Sequence, residues 1–276
     1  QSKLSESTLY VNLEPCAHHG KTPPCSLLLI EKQVKRVVVS NVDPFEQVAG
    51  KGLQMLEKSG CIVEVGFLET EGRWLNRRFF TFHEKNRPYV ILKWAQSADG
   101  LMAPAAPTDY WISSPASKLL LHRWRSEEAG ILVGAKTILN DNPLLTTRLV
   151  EGPNPHRIII EKEPFLPEKY QVFNREAPTT RMAYSGPNLA HEIDRILQDL
   201  YRMNIQSILV EGGKITLEAF INAALWDEAR IFTSPTALLQ GLPAPKLSAA
   251  FRSLEKKPVG TDELHIFTNQ VRNINH

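Results

Sequence analysis

The stretch from Arg123 to Arg148, RWRSEEAGILVGAKTILNDNPLLTTR, constrains this chain more than any other. A short apolar run, Ala129 to Val133, ends at Gly134, and Ala135 to Asn140 can then turn as a brief helix. This reads as a buried strand delivering its backbone to a glycine-opened turn. With no Cβ at Gly134 a ligand or a neighbouring backbone can come close, and the helix start offers unpaired N–H groups to an anion. Thr137 and Asp141 stand four residues apart, so a hydroxyl and a carboxylate able to accept from sugar hydroxyls share one helical face. Arg125 and Arg148, taken singly, read as surface ion-pair residues. Flanking one strand and one loop, they can instead converge on a phosphate, which guanidinium forks hold bidentately.

A second junction of the same kind follows. Ser207 to Val210 (SILV) is a buried strand ending in Glu211-Gly212-Gly213, with a helix predicted over Lys214 to Leu225. Two glycines at such a turn let N–H groups cradle a diphosphate, while the strand-end carboxylate faces the mouth of the cleft. No G-x-G-x-x-G occurs, so the doubly wound dinucleotide fold is not indicated.

The 276 residues carry a net charge of only +2, scattered along the chain, which gives no footing for nucleic acid or anionic membrane. No run of about eighteen apolar residues and no basic-then-apolar leader is found, so no membrane partner is expected and the cytoplasm is the default. Near the start, Thr8 to Leu13 reads as a strand running into Glu14-Pro15-Cys16, and Cys25 stands at the mouth of a helix predicted over Ser26 to Val34. A thiol at a helix start has a lowered pKa, and Cys16 with Cys25 would supply half of a tetrahedral zinc site. Cys61 reads as a buried thiol. Strands at Lys35 to Ser40 and Cys61 to Val65 enclose a helix at Gly52 to Ser59, a β-α-β alternation that implies a parallel or mixed sheet covered by helices. Thr70 to His83 is predicted as one amphipathic helix, with the charged EKNRP after it as the domain boundary.

Beyond the boundary, Tyr89 to Ser97 (YVILKWAQS) is a strand with Lys93 inside it, ended by Asp99-Gly100. Lys93 either snorkels to an edge or reaches a polar pocket. Ser114 is an N-cap candidate, with Pro115 at the first position of a helix to Glu128. Further strands are expected at Arg157 to Glu161, Asp227 to Phe232 and Glu263 to Phe267, and a helix at Leu189 to Met203. Pro164 to Pro178 reads as irregular, with one short strand near Val172, and Ser234 to Gly260 has no assignable structure.

The chain resembles the bifunctional riboflavin biosynthesis deaminase/reductase family. The likeness rests on the PC…PC loop with HHGKTPPC, the "LK.A.S.DG" strand, the Gly134 turn with its Asp141-Asn142-Pro143 loop ending in Arg148, and VEGG. The family's loop reads DDP, so its second acid is an amide here. The resemblance implies an α/β architecture: a partial cytidine-deaminase-like lobe over residues 1–83 and a dihydrofolate-reductase-like reductase domain over 84–276. It implies NADPH as cofactor and a phosphoribosyl pyrimidine as substrate. Substrate contacts would come from Arg125, Leu145, Arg148 and Glu211, with Asp109 at a further substrate position. Cofactor contacts would come from Ala95, Trp111, Thr137, Asp141 and Gly213, with Lys93 and Ser97 also in the cleft. Zinc would take Cys16 and Cys25 plus a His-x-Glu histidine. No His-x-Glu is present, so the deaminase half is expected to be truncated or incapable of deamination, with His18 and His19 as loop residues. A homodimer is the family's habit. Two rival classes are a zinc-dependent nucleobase deaminase, which would not need the long cofactor-binding pattern, and a non-catalytic zinc-stabilised binding protein, which has no use for Asp141, Arg148 and Glu211.

Overall fold

A computed structural model describes residues 4–20, 22–45, 48–105, 112–163, 165–247 and 251–269. The chain divides into two compact units, Gln1–Asn86 and Arg87–His276. The division falls inside the EKNRP stretch, three residues after His83, where the last helix of the first unit continues through Lys85 and ends on Asn86 in the left-handed conformation.

In the first unit, strands β1 (Thr8–Val11), β2 (Arg36–Val39) and β3 (Ile62–Val65) form a parallel sheet in that order, with α1 (Cys25–Glu31) and α2 (Lys51–Lys58) in the crossovers. The alternation read from the sequence is therefore present. Val37, Val39, Leu53, Leu56 and Cys61 make its core. The single helix expected over 70–83 is instead two, α3 (Glu69–Leu75) and α4 (Arg77–Lys85). Asn76 leaves helical geometry between them, at φ −96° and ψ 19°, and its side chain donates to the Gly72 carbonyl.

The second unit is built on an eight-stranded sheet. Its elements are β4 (Tyr89–Gln96), β5 (Leu101–Pro104), α5 (Pro115–Glu127), β6 (Gly130–Gly134), α6 (Ala135–Asp141), β7 (His156–Glu161), β8 (Thr179–Ala183), α7 (Ile193–Arg202), β9 (Ser207–Val210), α8 (Lys214–Asn222), β10 (Glu228–Thr233), β11 (Gly241–Pro243), β12 (Phe251–Val259) and β13 (Asp262–Asn269). The sheet runs β12-β13-β10-β4-β9-β6-β7-β8, parallel from β10 to β8 and antiparallel at β13 and β12. Outside it, β5 pairs with β11. One face packs on α7 and α8 through Val90, Leu92, Leu132, Val210, Leu197 and Phe220. The other face packs α5 on Ile91, Leu209 and Phe232, and α6 on Ile131 and Val133.

The fully buried central strands are continuous apolar runs, as a parallel sheet covered on both faces requires. Ser114 caps α5 as expected, accepting from Ser117 N at 3.3 Å with Pro115 at the first helical position. The strand expected near Val172 is a 3-10 turn, and the edge strand is β8.

Candidate active site

Parallel strands bring their carboxyl ends to one edge of the sheet, where ligands of such folds collect. Here β6 and β9 are neighbours, with Ile131 opposite Leu209 and Leu132 opposite Val210. The pairing extends one residue further, because Glu211 N donates to the Leu132 carbonyl at 3.0 Å. Gly134 and Gly212-Gly213 therefore open adjacent corners of one edge.

The two corners interlock. A Cβ on Gly134 would stand 2.5 Å from Thr216 Oγ1, and one on Gly212 would stand 2.8 Å from Thr216 Cβ. In return the Gly213 N–H donates to Thr137 Oγ1 at 3.0 Å. Each corner thus packs its glycine backbone against a threonine of the other corner's helix. Thr137, read from sequence as a cofactor contact, holds the second corner with its hydroxyl oxygen. Gly213 caps the nine-residue α8, whose first N–H groups, on Lys214 and Ile215, have no intrahelical acceptor. Asp141 ends α6 at the surface.

Beside the corners lies a buried charge cluster. Arg125, delivered by α5, meets Glu211 in a two-pronged pair, Nε to Oε1 and Nη2 to Oε2, both 2.7 Å. Both side chains are only 9% exposed. Burial opposes ionisation of Glu211, but the charge and hydrogen bonds of Arg125, helped by Lys93, outweigh it and hold the carboxyl below its ordinary value. Lys93 stands on the interior strand β4, not at an edge, with its Nζ over the Phe232 ring at 5.8 Å. Burial pushes its ammonium pKa down, Glu211 opposes that shift, and Arg125 adds to it.

The sequence treats Arg125 and Glu211 as separate substrate contacts, whereas the structure makes them one unit. The remaining Arg125 prong, Nη1, donates to the Thr146 carbonyl at 3.2 Å and ties the pair to the loop after α6. In that loop Leu145 is buried with Ile131, Val133 and Ile138 and holds a left-handed φ of +54°. Arg148 is exposed, and its guanidinium makes no ion pair or hydrogen bond among the described residues. Its backbone N–H donates to His122 Nδ1 at 3.0 Å. His122 is 1% exposed, and burial together with Arg125 and Arg148 lowers its pKa to about 4. Sequence reading missed His122, although it lies three residues before Arg125 and so on the same helical face.

Ala95 is half-buried on β4, opposite Phe232 of β10. Ser97 is turned to structural work: its hydroxyl donates to Asp99, whose carboxylate also accepts from Leu238 and Leu239 N and is lowered to about 2, chiefly by the Ser97 bond. Asp109 and Trp111 lie outside the described residues.

In the first unit Cys16 and Cys25 do come together, with the Cys25 N–H donating to Cys16 Sγ at 3.2 Å. The Cys25 thiol is pushed up, contrary to the lowering expected at a helix start. The Cys16 side chain hydrogen-bonds to it, burial and the charge of Cys16 add to the rise, and these exceed what backbone N–H groups provide. Among the described residues no group of three His, Cys, Asp or Glu side chains is placed to hold a metal ion. The two thiols alone therefore do not fit zinc, which needs four ligands.

A family model, that of the RibD C-terminal domain, matches residues 88–245. The chain belongs to that family. It is 37% identical over 271 residues to the riboflavin biosynthesis protein RibD of Aquifex aeolicus, covering 92% of this chain and 76% of that protein. Against the RibD of Bacillus amyloliquefaciens it is 37% identical over 273 residues, covering 91% and 73% of the respective chains. A solved Thermotoga maritima structure, described as a diaminohydroxyphosphoribosylaminopyrimidine deaminase/5-amino-6-(5-phosphoribosylamino)uracil reductase, superposes with a TM-score of 0.85 at 34% identity, covering 95% of this chain and 79% of that one. The α/β fold of a RibD reductase domain, dihydrofolate-reductase-like as expected, is thereby established for the second unit. No helix among the described residues is long and apolar enough to cross a membrane.

Proposed function

We propose that this chain carries out the NADPH-dependent reduction of 5-amino-6-(5-phosphoribosylamino)uracil to its ribityl form, a step of riboflavin biosynthesis. The interlocked glycine corners, with the buried Arg125–Glu211 pair and the exposed Arg148 guanidinium, carry this reading: one side fits a dinucleotide diphosphate, the other a sugar phosphate. The name of the Thermotoga relative supports the substrate.

The cofactor fit rests on the open start of α8. Among the described residues a Cβ at Gly213 would meet only Thr137 Oγ1, at 3.5 Å, an ordinary contact that leaves room for a ligand there. The Lys214 and Ile215 N–H groups would take a phosphate, and Ala95 and Asp141 would line the cofactor's path. When bound, NADPH supplies the hydride; this chain's residues supply position and charge. The free Arg148 guanidinium would grip the substrate phosphate. Leu145 would line the same loop, and the Arg125–Glu211 pair would face the sugar while Arg125 holds the loop by its third prong.

Deamination, which the Thermotoga relative's name includes, would need ligands beyond Cys16 and Cys25, so the proposal for this chain is reduction. The test is NADPH oxidation on addition of the phosphoribosylaminouracil: one NADPH consumed per substrate supports the reading, and no consumption removes it. NADH used as well as NADPH would refute the cofactor preference.

A further inference from the structure

Three buried side chains grip alternate residues of one short loop. Arg157 Nη1 donates to the Leu144 carbonyl at 3.3 Å, and Arg125 Nη1 to the Thr146 carbonyl at 3.2 Å. His122 Nδ1 accepts from Arg148 N at 3.0 Å. Between the first two grips, Leu145 is held at a φ of +54°, a conformation that a leucine keeps only when its surroundings impose it. Thr147 is fixed as well, its N–H donating to Asn154 Oδ1 at 2.8 Å. Backbone groups of Leu144, Thr146, Thr147 and Arg148 are thus each held by a hydrogen bond, with Leu145 in the left-handed conformation between them, while the Arg148 side chain is left exposed.

Of these grips the one on Arg148 itself is the most conditional. An imidazole accepts at Nδ1 only when that nitrogen carries no proton, so the bond requires a neutral ring with its hydrogen on Nε2. The surroundings enforce this. His122 is 1% exposed, and Arg125, Arg148 and Lys118 surround it with positive charge that outweighs Glu211.

We propose that His122 is the positioning residue of the sugar-phosphate grip: its neutral imidazole fixes the Arg148 backbone so that the guanidinium is presented to the phosphate rather than searching for it. This rests on the reading of Arg148 as the phosphate ligand given above. It assigns His122 no contact with substrate or cofactor.

The experiment compares His122→Phe, which keeps a planar ring but has no acceptor, with His122→Asn, whose Oδ1 offers an acceptor near the position of Nδ1. In steady state His122→Phe should raise KM for the phosphoribosyl substrate about tenfold, the size of one buried hydrogen bond lost. Its kcat and its affinity for NADPH should stay within about twofold, and His122→Asn should recover most of the loss. Calorimetric titration with ribose 5-phosphate should show the same weakening. An unchanged KM and ribose 5-phosphate affinity in His122→Phe overturns the proposal. So does a parallel fall of kcat and NADPH affinity in both variants, which would mark a general structural role. If the phenylalanine variant does not fold, His122→Ala takes its place, with added imidazole expected to lower its KM; no lowering overturns the proposal. Arg148→Ala separates the two levels. If it binds ribose 5-phosphate like the wild type, the reading of Arg148 fails; if it loses that binding, the His122 variants report on His122 alone.

Discussion

Gly134→Ala tests the interlocked corners by space alone. Its φ of −84° and ψ of 155° are open to any residue, so the substitution imposes no backbone strain. The obstacle is Thr216 Oγ1, which the new Cβ would meet at 2.5 Å, well inside contact distance, on a side chain only 4% exposed. Overpacking of this kind costs about 1–3 kcal/mol. Once the hydroxyl is removed by Thr216→Ala, the next neighbour of that Cβ is Thr216 Cβ at 3.9 Å, an ordinary contact. Thr216→Ala alone should cost about 1 kcal/mol or less, and the double variant should be scarcely less stable than Thr216→Ala. The double-mutant coupling is then about 1–3 kcal/mol in the compensating direction, the whole cost of the overpacking. Urea midpoints of the four proteins measure it, and NADPH titration should follow the same order. Additive losses, with the double variant the least stable, would refute the interlock.

Other outcomes follow from the charge cluster and the loop. Arg148→Ala should raise KM for the phosphoribosyl substrate about ten- to hundredfold, as loss of a charge-assisted contact does, and leave NADPH affinity nearly intact; equal loss of both counts against the assignment. Arg125→Met strands the buried Glu211 carboxylate and should destabilise the chain by about 3–5 kcal/mol, with Arg125→Met/Glu211→Gln recovering part of it in urea unfolding. Acid should weaken the fold in two windows. His122 titrates at about 4 when folded and 6.5 when unfolded, so its share of stability is lost as pH falls from 6.5 to about 4. Glu211, with a folded value below its ordinary 4.5, contributes above that pH and loses its share as pH falls through the depressed value. Urea midpoints measured against pH should show a smaller loss in the upper window for His122→Asn, where His83, His156 and His265 also contribute, and a smaller loss in the lower one for Glu211→Gln; unchanged profiles would refute both assignments.

The central strands and the glycine corners were legible because apolar runs of four or five residues ending at glycine have few other uses. SILV at Ser207–Val210 is found as read, and β6 is displaced by one residue at each end. What the sequence concealed was of two kinds. The edge strands β8 and β12 carry TTRMA and FRSLEKKPV, mixed runs whose strand state comes from pairing with a neighbour and not from local propensity. The break at Asn76 was hidden because Leu75, Phe79 and Phe82 keep helical spacing on both sides of it. At the site, the residues were found but their partners were not. Arg125 and Glu211 lie 86 positions apart, and nothing in either segment announces that one satisfies the other. Burial likewise decides the states of Lys93 and His122, and burial is a property of the folded chain.

The most direct measurement is the stoichiometry of NADPH oxidation with 5-amino-6-(5-phosphoribosylamino)uracil, made with the wild type and with Gly213→Val, which places a branched side chain at the open corner of α8. The wild type should oxidise one NADPH per ribityl product, and the variant should lose at least about tenfold in cofactor affinity at unchanged urea midpoint. Undiminished NADPH binding in the folded variant would show that the cofactor lies elsewhere and would contradict the proposed site.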